Sequence, residues 1–340
     1  MRARFIEAWD GPLADGERPG PSPGPGEVAV EVEACGVGLT VLNCIRGDLG
    51  TPHGLPRVPG HELVGVVRDV GPGVGNDLRG ARVAAYFYLF CGRCRRCLAG
   101  EEPLCERLAG FVGVHRDGGY AERAVLPVRN AIPLPEWLDP VLATAVPDAI
   151  ATPVHVARRA AIGPRDRVAV IAAGGGVGVH MVQVARLAGA AVAGLEAGDA
   201  KLTFVADDLG VAAVDSSDFG AVDLPAGWSG GPDVVVDLLG TEASLGWSLR
   251  ALAPGGRLVL LTTFPRRAVD LSPREAVLRE LTVLGSRYAG RAEVAHAAEL
   301  VADGRVSPVV TRRAGPEGVD ALHDALRAGE LLGRGALVWA

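Results

Sequence analysis

The 340-residue chain has no uninterrupted apolar run of the ~18–20 residues that a membrane-spanning helix needs, because Gly, Pro, Arg or Asp breaks every hydrophobic stretch. A bilayer location is therefore not expected. It also lacks a basic stripe. The net charge of -6 is mild and spread along the chain, which excludes the counterion-releasing surface that grips a phosphate backbone, so nucleic acid is not an expected partner. Nothing at the N-terminus resembles a secretory signal, which points to the cytoplasm, where thiols stay reduced. Internal repeats and low-complexity tails are absent as well. What remains is the profile of a well-buried enzyme, 49% hydrophobic and too long for one ordinary core, so two domains are expected.

Cysteine is scarce, six in all, yet Cys91, Cys94, Cys97 and Cys105 form a C-x2-C-x2-C-x7-C run within fifteen residues. In a reducing compartment that spacing means metal rather than two disulfides. Four sulfur ligands make a closed tetrahedral site, so the expected ion is a structural zinc stapling a lobe at about residues 88–108.

The two halves of the chain differ in periodicity. Up to about Ile150, short runs such as Glu27 to Ala34, Leu63 to Val70, Ala81 to Tyr88 and Ala121 to Leu126 are each bounded by Gly or Pro, which reads as strands with little helix. Gly11 to Gly26, dense in Pro, Gly and Asp, reads as a surface loop. From Arg167 the pattern becomes strand, helix, strand: Val168 to Ala172, Val177 to Ala188, Ala191 to Glu196, Lys201 to Leu209 and Val211 to Val214. It continues through Asp233 to Leu239, Arg257 to Leu261 and Leu281 to Gly285, giving six strands, the count of a complete doubly wound dinucleotide-binding fold. A helical Val319 to Ala328 and a strand near Gly335 to Trp339 return to the first domain. The expected fold class is thus α/β, with a β-rich domain of residues 1–149 and 288–340 and a Rossmann domain of residues 150–287.

After the strand Val168 to Ala172 comes Ala173-Gly174-Gly175-Gly176-Val177-Gly178, a glycine fingerprint with Ala in the first glycine position. Glycine lets the backbone approach a pyrophosphate, and the following helix offers its N-terminal amides to the charge. Glu196 closes the next strand, 18 residues after Gly178, where an acid accepts the ribose hydroxyls. An anion there repels a 2′-phosphate, so NAD(H) is expected over NADP(H). Lys201 on the neighbouring helix is a further candidate for the ribose.

Gly60-His61-Glu62-x-x-Gly65, with Gly71 further on, strongly resembles the signature of zinc-dependent medium-chain alcohol dehydrogenases. With the four-cysteine lobe and the downstream glycine fingerprint in the same order, the resemblance spans nearly the whole chain. It implies a GroES-like catalytic domain, a Rossmann domain, a cleft between them, a small apolar alcohol or carbonyl substrate, and a homodimer or homotetramer. It also implies a catalytic zinc held by a Cys, a His and a further Cys or Asp, acting as a Lewis acid while hydride moves to nicotinamide. His61 and Glu62 match directly. The later ligand falls on Asp148, four residues before Thr152, whose counterpart in the family contacts nicotinamide. Gly333-Arg334 resembles the family's Gly-Arg, whose Arg contacts the cofactor pyrophosphate. Tyr86 or Phe87, with Leu49 opposite, is expected to line the substrate pocket.

The departure lies in the first ligand. The family segment Cys-Gly-Val-Cys-x-Thr is here Cys35-Gly36-Val37-Gly38-Leu39-Thr40, and Gly38 cannot bind a metal. Cys35 and Cys44 are off the ligand register and read as buried hydrophobes. Thr40 keeps the hydroxyl that takes the substrate proton, but the His three residues later is Asn43, which does not titrate. Two outcomes follow for the pocket. His61, Glu62 and Asp148 hold a weaker zinc as a three-ligand site. Otherwise the pocket is free of metal, and one of two carboxylates, kept protonated by the other, or Thr40 supplies the proton for reduction of a conjugated alkene, or the chemistry is a redox-neutral rearrangement. A dinucleotide-binding pseudoenzyme is the reading from outside enzymology.

Overall fold

The computed structural model of the chain describes residues 1–50, 54–263 and 268–339. It separates into two compact units, Met1–Ala151 with Ala289–Gly304 and Pro308–Ala340, and Thr152–Tyr288 with Arg305–Ser307.

The first unit is organised around the long strand Glu27–Val37. Its first half alternates: Val28, Val30 and Val32 are buried, while Glu27, Glu31 and Glu33 pair with Arg116, Arg68 and Arg82. From Ala34 onward both faces are buried and the side chains shrink to Ala34, Cys35 and Gly36, because other structure approaches from each side. The strand pairs antiparallel with Leu63–Val70 along its length, with Arg123–Pro127 over Glu27 to Glu31, and with Arg334–Val338 over Ala34 to Val37. Arg82–Ala85 and Ala131–Pro133 extend the sheet on one side, and Val310–Ala314 joins it in parallel beside Arg334–Val338.

Three details differ from the sequence reading. The strand expected from Ala81 to Tyr88 ends at Ala85. Beyond it the buried Asn130 amide donates to the carbonyls of Tyr86 and Tyr88 at 2.8 Å, replacing a ladder partner. Within the expected loop Gly11 to Gly26, Leu13–Glu17 is a strand pairing antiparallel with Arg2–Ile6. And a helix, Leu39–Arg46, follows Gly38, buries Val41, Leu42, Cys44 and Ile45, and stops at Gly47 in the left-handed region (φ 81°). Cys35 and Cys44 are buried, as expected of small hydrophobes.

The second unit is a six-stranded parallel sheet in the order Ala212–Asp215, Ala191–Glu196, Arg167–Ile171, Val234–Asp237, Arg257–Leu260, Thr282–Gly285. Its strands read as continuous apolar runs because helices cover both faces: Val168 to Ile171 and Val234 to Val236 are fully buried. Numbered along the chain the order is 3-2-1-4-5-6, the doubly wound dinucleotide fold. The order reverses between Arg167–Ile171 and Val234–Asp237, and ligands of such sheets bind at the carboxyl ends of the strands flanking that reversal.

Candidate active site

In the first unit, Gly60 sits at φ 95°, where a side chain would also run into the Tyr120 ring, and this turn sets His61 and Glu62 at the mouth of the strand Leu63–Val70. His61 is 4% exposed and lies on the Phe87 ring at a centroid distance of 4.4 Å. Its Nε2 is 3.2 Å from Asp148 Oδ2 and 3.8 Å from Glu62 Oε1. Asp148 reaches it from Val146–Ile150, a π-turn in which Ile150 N–H donates to Ala145 O. Single π-turns of this kind recur at functional sites because the extra residue re-aims a side chain.

Glu62 is fully buried, and its room comes from Gly36, where any Cβ would collide with the carboxylate. Its Oε1 forms an ion pair with Arg334, the first residue of Arg334–Val338. Burial pushes the Arg334 guanidinium down to about 10, which leaves it charged at neutral pH. This is not the open position expected of a pyrophosphate contact. Arg334 is 6% exposed, and its guanidinium fills the space in front of Gly38, so a Cβ at residue 38 would run into it. Thr40 is half-buried in the first turn of the helix Leu39–Arg46, and Leu49 is half-buried just beyond it. Of the two aromatic candidates, Phe87 stands at His61, whereas Tyr86 is fully buried and its hydroxyl donates to Ala289 O at 2.9 Å.

The donor atoms of His61, Glu62 and Asp148 lie within 4.8 Å of one another, near enough to face one ion. They nevertheless do not fit the catalytic zinc that the resemblance implies. The Glu62 oxygen facing His61 already carries the guanidinium, and residue 38 adds no ligand. His61 and Asp148 alone fall short of the three protein ligands of catalytic zinc sites.

The four-cysteine lobe meets the expected geometry. The sulfurs of Cys91 and Cys97, Cys94 and Cys97, and Cys94 and Cys105 are 3.9, 3.5 and 3.9 Å apart. Tetrahedral ligands at ~2.3 Å from one zinc stand ~3.8 Å apart. None of the four is in a disulfide. The backbone N–H of Arg93 draws the Cys91 thiol down to about 6, toward the thiolate a metal takes. Replacing Cys94 by Ser is expected to release this zinc and to lower the melting temperature by about 5 °C or more, read by metal analysis and calorimetry.

In the second unit, Gly174 N–H donates to Glu196 Oε1 at 2.8 Å and Ala197 N–H to Oε2 at 3.1 Å, while Lys201 Nζ stands 3.9 Å from Oε2. The acid is 6% exposed and thus ties the glycine loop to the end of the second strand. Gly178 packs against the carbonyl of Ala172, leaving no room for a Cβ, so the helix Gly178–Leu187 starts directly on the strand Arg167–Ile171. His180 was not signalled by the sequence. Its Nδ1 lies 2.9 Å from Gly176 O, and burial holds it neutral by lowering its pKa to about 4, so it donates to that carbonyl and fixes the loop from below. Thr152 is buried in the first turn of Ala151–Arg159.

A family model described as an alcohol dehydrogenase GroES-like domain matches residues 24–136, and one described as a zinc-binding dehydrogenase matches residues 176–303. An alcohol dehydrogenase of Geobacillus stearothermophilus is 31% identical over 339 residues, 98% of each chain. An acryloyl-coenzyme A reductase of Metallosphaera sedula is 30% identical over 283 residues, 82% of each chain. Among solved structures, a cobalt- and zinc-bound thermostable alcohol dehydrogenase from Pyrobaculum aerophilum matches with a TM-score of 0.90 at 32% identity, covering 100% of this chain and 99% of that one.

Proposed function

The chain belongs to the alcohol dehydrogenase family of zinc-binding medium-chain dehydrogenases, and from that premise we propose how its own residues carry the reaction. The enzyme is an oxidoreductase that interconverts an alcohol and its aldehyde or ketone. In the oxidising direction a bound nicotinamide would supply the hydride acceptor for the carbinol carbon, and with loss of the hydroxyl proton the C–O bond would become C=O. His61 and Asp148 handle the oxygen and its proton. The observation that carries this reading is the 3.2 Å approach of the His61 imidazole to the Asp148 carboxylate in a buried pocket walled by Phe87. An imidazole set beside a carboxylate is placed to exchange a proton with a bound hydroxyl. Thr40, whose hydroxyl is the other candidate proton carrier, hands its proton to water or a neighbour other than Asn43, which cannot titrate. Leu49 and Phe87 keep the substrate side apolar, and the substrate is a small or medium apolar alcohol or carbonyl.

The cofactor is NAD(H). The Glu196 carboxylate, buried beside Gly174, has lone pairs left for ribose hydroxyls and opposes a 2′-phosphate. NADH is expected to bind at least ~10-fold more tightly than NADPH, a difference of about 1.4 kcal/mol, in a fluorescence titration. Gly174, Gly175, Gly176 and Val177 cradle the pyrophosphate, Thr152 meets the nicotinamide, and Lys201 supports the ribose. The structural zinc belongs to Cys91, Cys94, Cys97 and Cys105, and the working form is a homodimer or homotetramer.

A second reading, reduction of a conjugated alkene, draws on the substitution at Gly38 and on the acryloyl-coenzyme A reductase relative. NADH oxidation measured across ketones, aldehydes and enones separates the two. Turnover confined to enones overturns the alcohol reading.

A further inference from the structure

We propose that the guanidinium of Arg334 is the resident cation of the His61–Glu62–Asp148 pocket, standing where family members hold a metal and its first ligand, so that this pocket works without a catalytic ion. The inference deepens the reading of the pocket given above and rests on it for the pocket's role, but not for its cation.

The sequence change and the placement explain each other. At residue 38, where the family has a ligand side chain, this chain has Gly, and the volume so freed is filled by Arg334, whose guanidinium would meet a Cβ there. Glycine is also required at residue 36, where the missing Cβ admits the Glu62 carboxylate. The two glycines of Cys35-Gly36-Val37-Gly38 thus open one space for an acid and another for a base, and the acid and base pair. Glu62 is fully buried and Arg334 nearly so, and both carboxylate oxygens of Glu62 and the Nε and Nη2 of Arg334 have no hydrogen-bond partner among the described residues apart from the ion pair itself. The pair is therefore held mainly by mutual attraction, and each charge is costly without the other.

Charge counting gives the consequence. Glu62 and Asp148 contribute two negative charges and Arg334 one positive, so the pocket is already half neutralised. A dication between His61 and Asp148 would sit beside a guanidinium that shares the oxygen it needs. Arg334 and a metal exclude one another. A planar, permanently charged donor is also a suitable electrostatic partner for an oxygen that gains negative charge, the part a Lewis acid takes in the family.

The test is metal content, measured on the full chain after zinc loading and exhaustive dialysis. The wild type is expected to hold one zinc per chain, in the four-cysteine lobe, and His61→Gln is expected to hold the same one. Arg334→Met, which strips the buried acids of their cation, is expected to take up a second zinc with at least 10-fold higher affinity at this site than the wild type. Arg334→Lys is expected to stay at one. Two zincs in the wild type, with one lost on His61→Gln, overturn the proposal even if Arg334→Met does not fold. So does a folded Arg334→Met chain that gains none. One zinc with no turnover on any alcohol, carbonyl or enone leaves the Arg334 assignment standing and sinks the function proposed for the pocket.

Discussion

Replacing His61 by Gln is expected to lower turnover by about 10²- to 10⁴-fold, the range lost when a positioned proton-transfer group is removed. NADH affinity should stay within about twofold, because the residues proposed to bind it, from Gly174 to Glu196, lie in the other unit. The imidazole is 4% exposed, with a carboxylate at 3.2 Å and an aromatic ring beside it, an arrangement suited to exchanging a proton with a polar ligand. Glutamine keeps much of the volume and a hydrogen-bonding end but cannot become cationic. Asp148→Asn should show a loss of similar order, since an amide at 3.2 Å from the imidazole cannot take up or hand on a proton as the carboxylate can. Steady-state kinetics with a parallel NADH titration is the check. A His61→Gln enzyme with near-normal turnover would remove the pocket from the chemistry.

The second large effect is expected at the dinucleotide loop, where two glycines do different work. At Gly178 a Cβ meets the backbone of Ala172 and Ala173, which cannot swing aside, so Gly178→Ala forces helix Gly178–Leu187 off strand Arg167–Ile171. A cost of about 1–3 kcal/mol is expected, with a melting temperature lower by several degrees and NADH affinity reduced ~100-fold or more. At Gly175 a Cβ meets only the Ala172 oxygen, at 3.3 Å. Gly175→Ala should therefore leave stability within about 0.5 kcal/mol of wild type and still weaken NADH, because the methyl would occupy the ground proposed for the pyrophosphate. Equal losses of stability in both variants would contradict this division.

The second unit was legible in the sequence because its signals are local. Buried parallel strands are short apolar runs, a helix follows each of them except Ala212–Asp215, and the glycines and Glu196 fall at fixed offsets from one strand end. Ends shifted by a residue or two, as where Val211 to Val214 became Ala212–Asp215, reflect hydrogen bonding that composition does not encode. The four-cysteine lobe was legible for the same reason, its ligands lying within one short segment. The first unit was less so, since its site is assembled from residues 36, 38, 61, 62, 87, 148 and 334, which only the tertiary fold brings together. The family resemblance pointed to His61, Glu62 and Asp148, whose donor atoms the fold brings together. The resemblance gave no hint that Arg334 turns inward to Glu62. The clue was present in Cys35-Gly36-Val37-Gly38 as a missing side chain, but an absence in sequence does not say what fills the space. Tyr86 and Phe87 show a similar limit. Both are buried, and only the fold shows that the Tyr86 hydroxyl donates to Ala289 O while Phe87 meets His61.

The central claim is that a hydride passes between nicotinamide and the carbon bearing the substrate oxygen. The most direct measurement is mass spectrometry of the product formed from a ketone panel with NADH deuterated at C4. One deuterium on the carbinol carbon of an alcohol product is the predicted result. Deuterium on the carbon β to an intact carbonyl when enones are included, or none in any product although the cofactor binds, would contradict it.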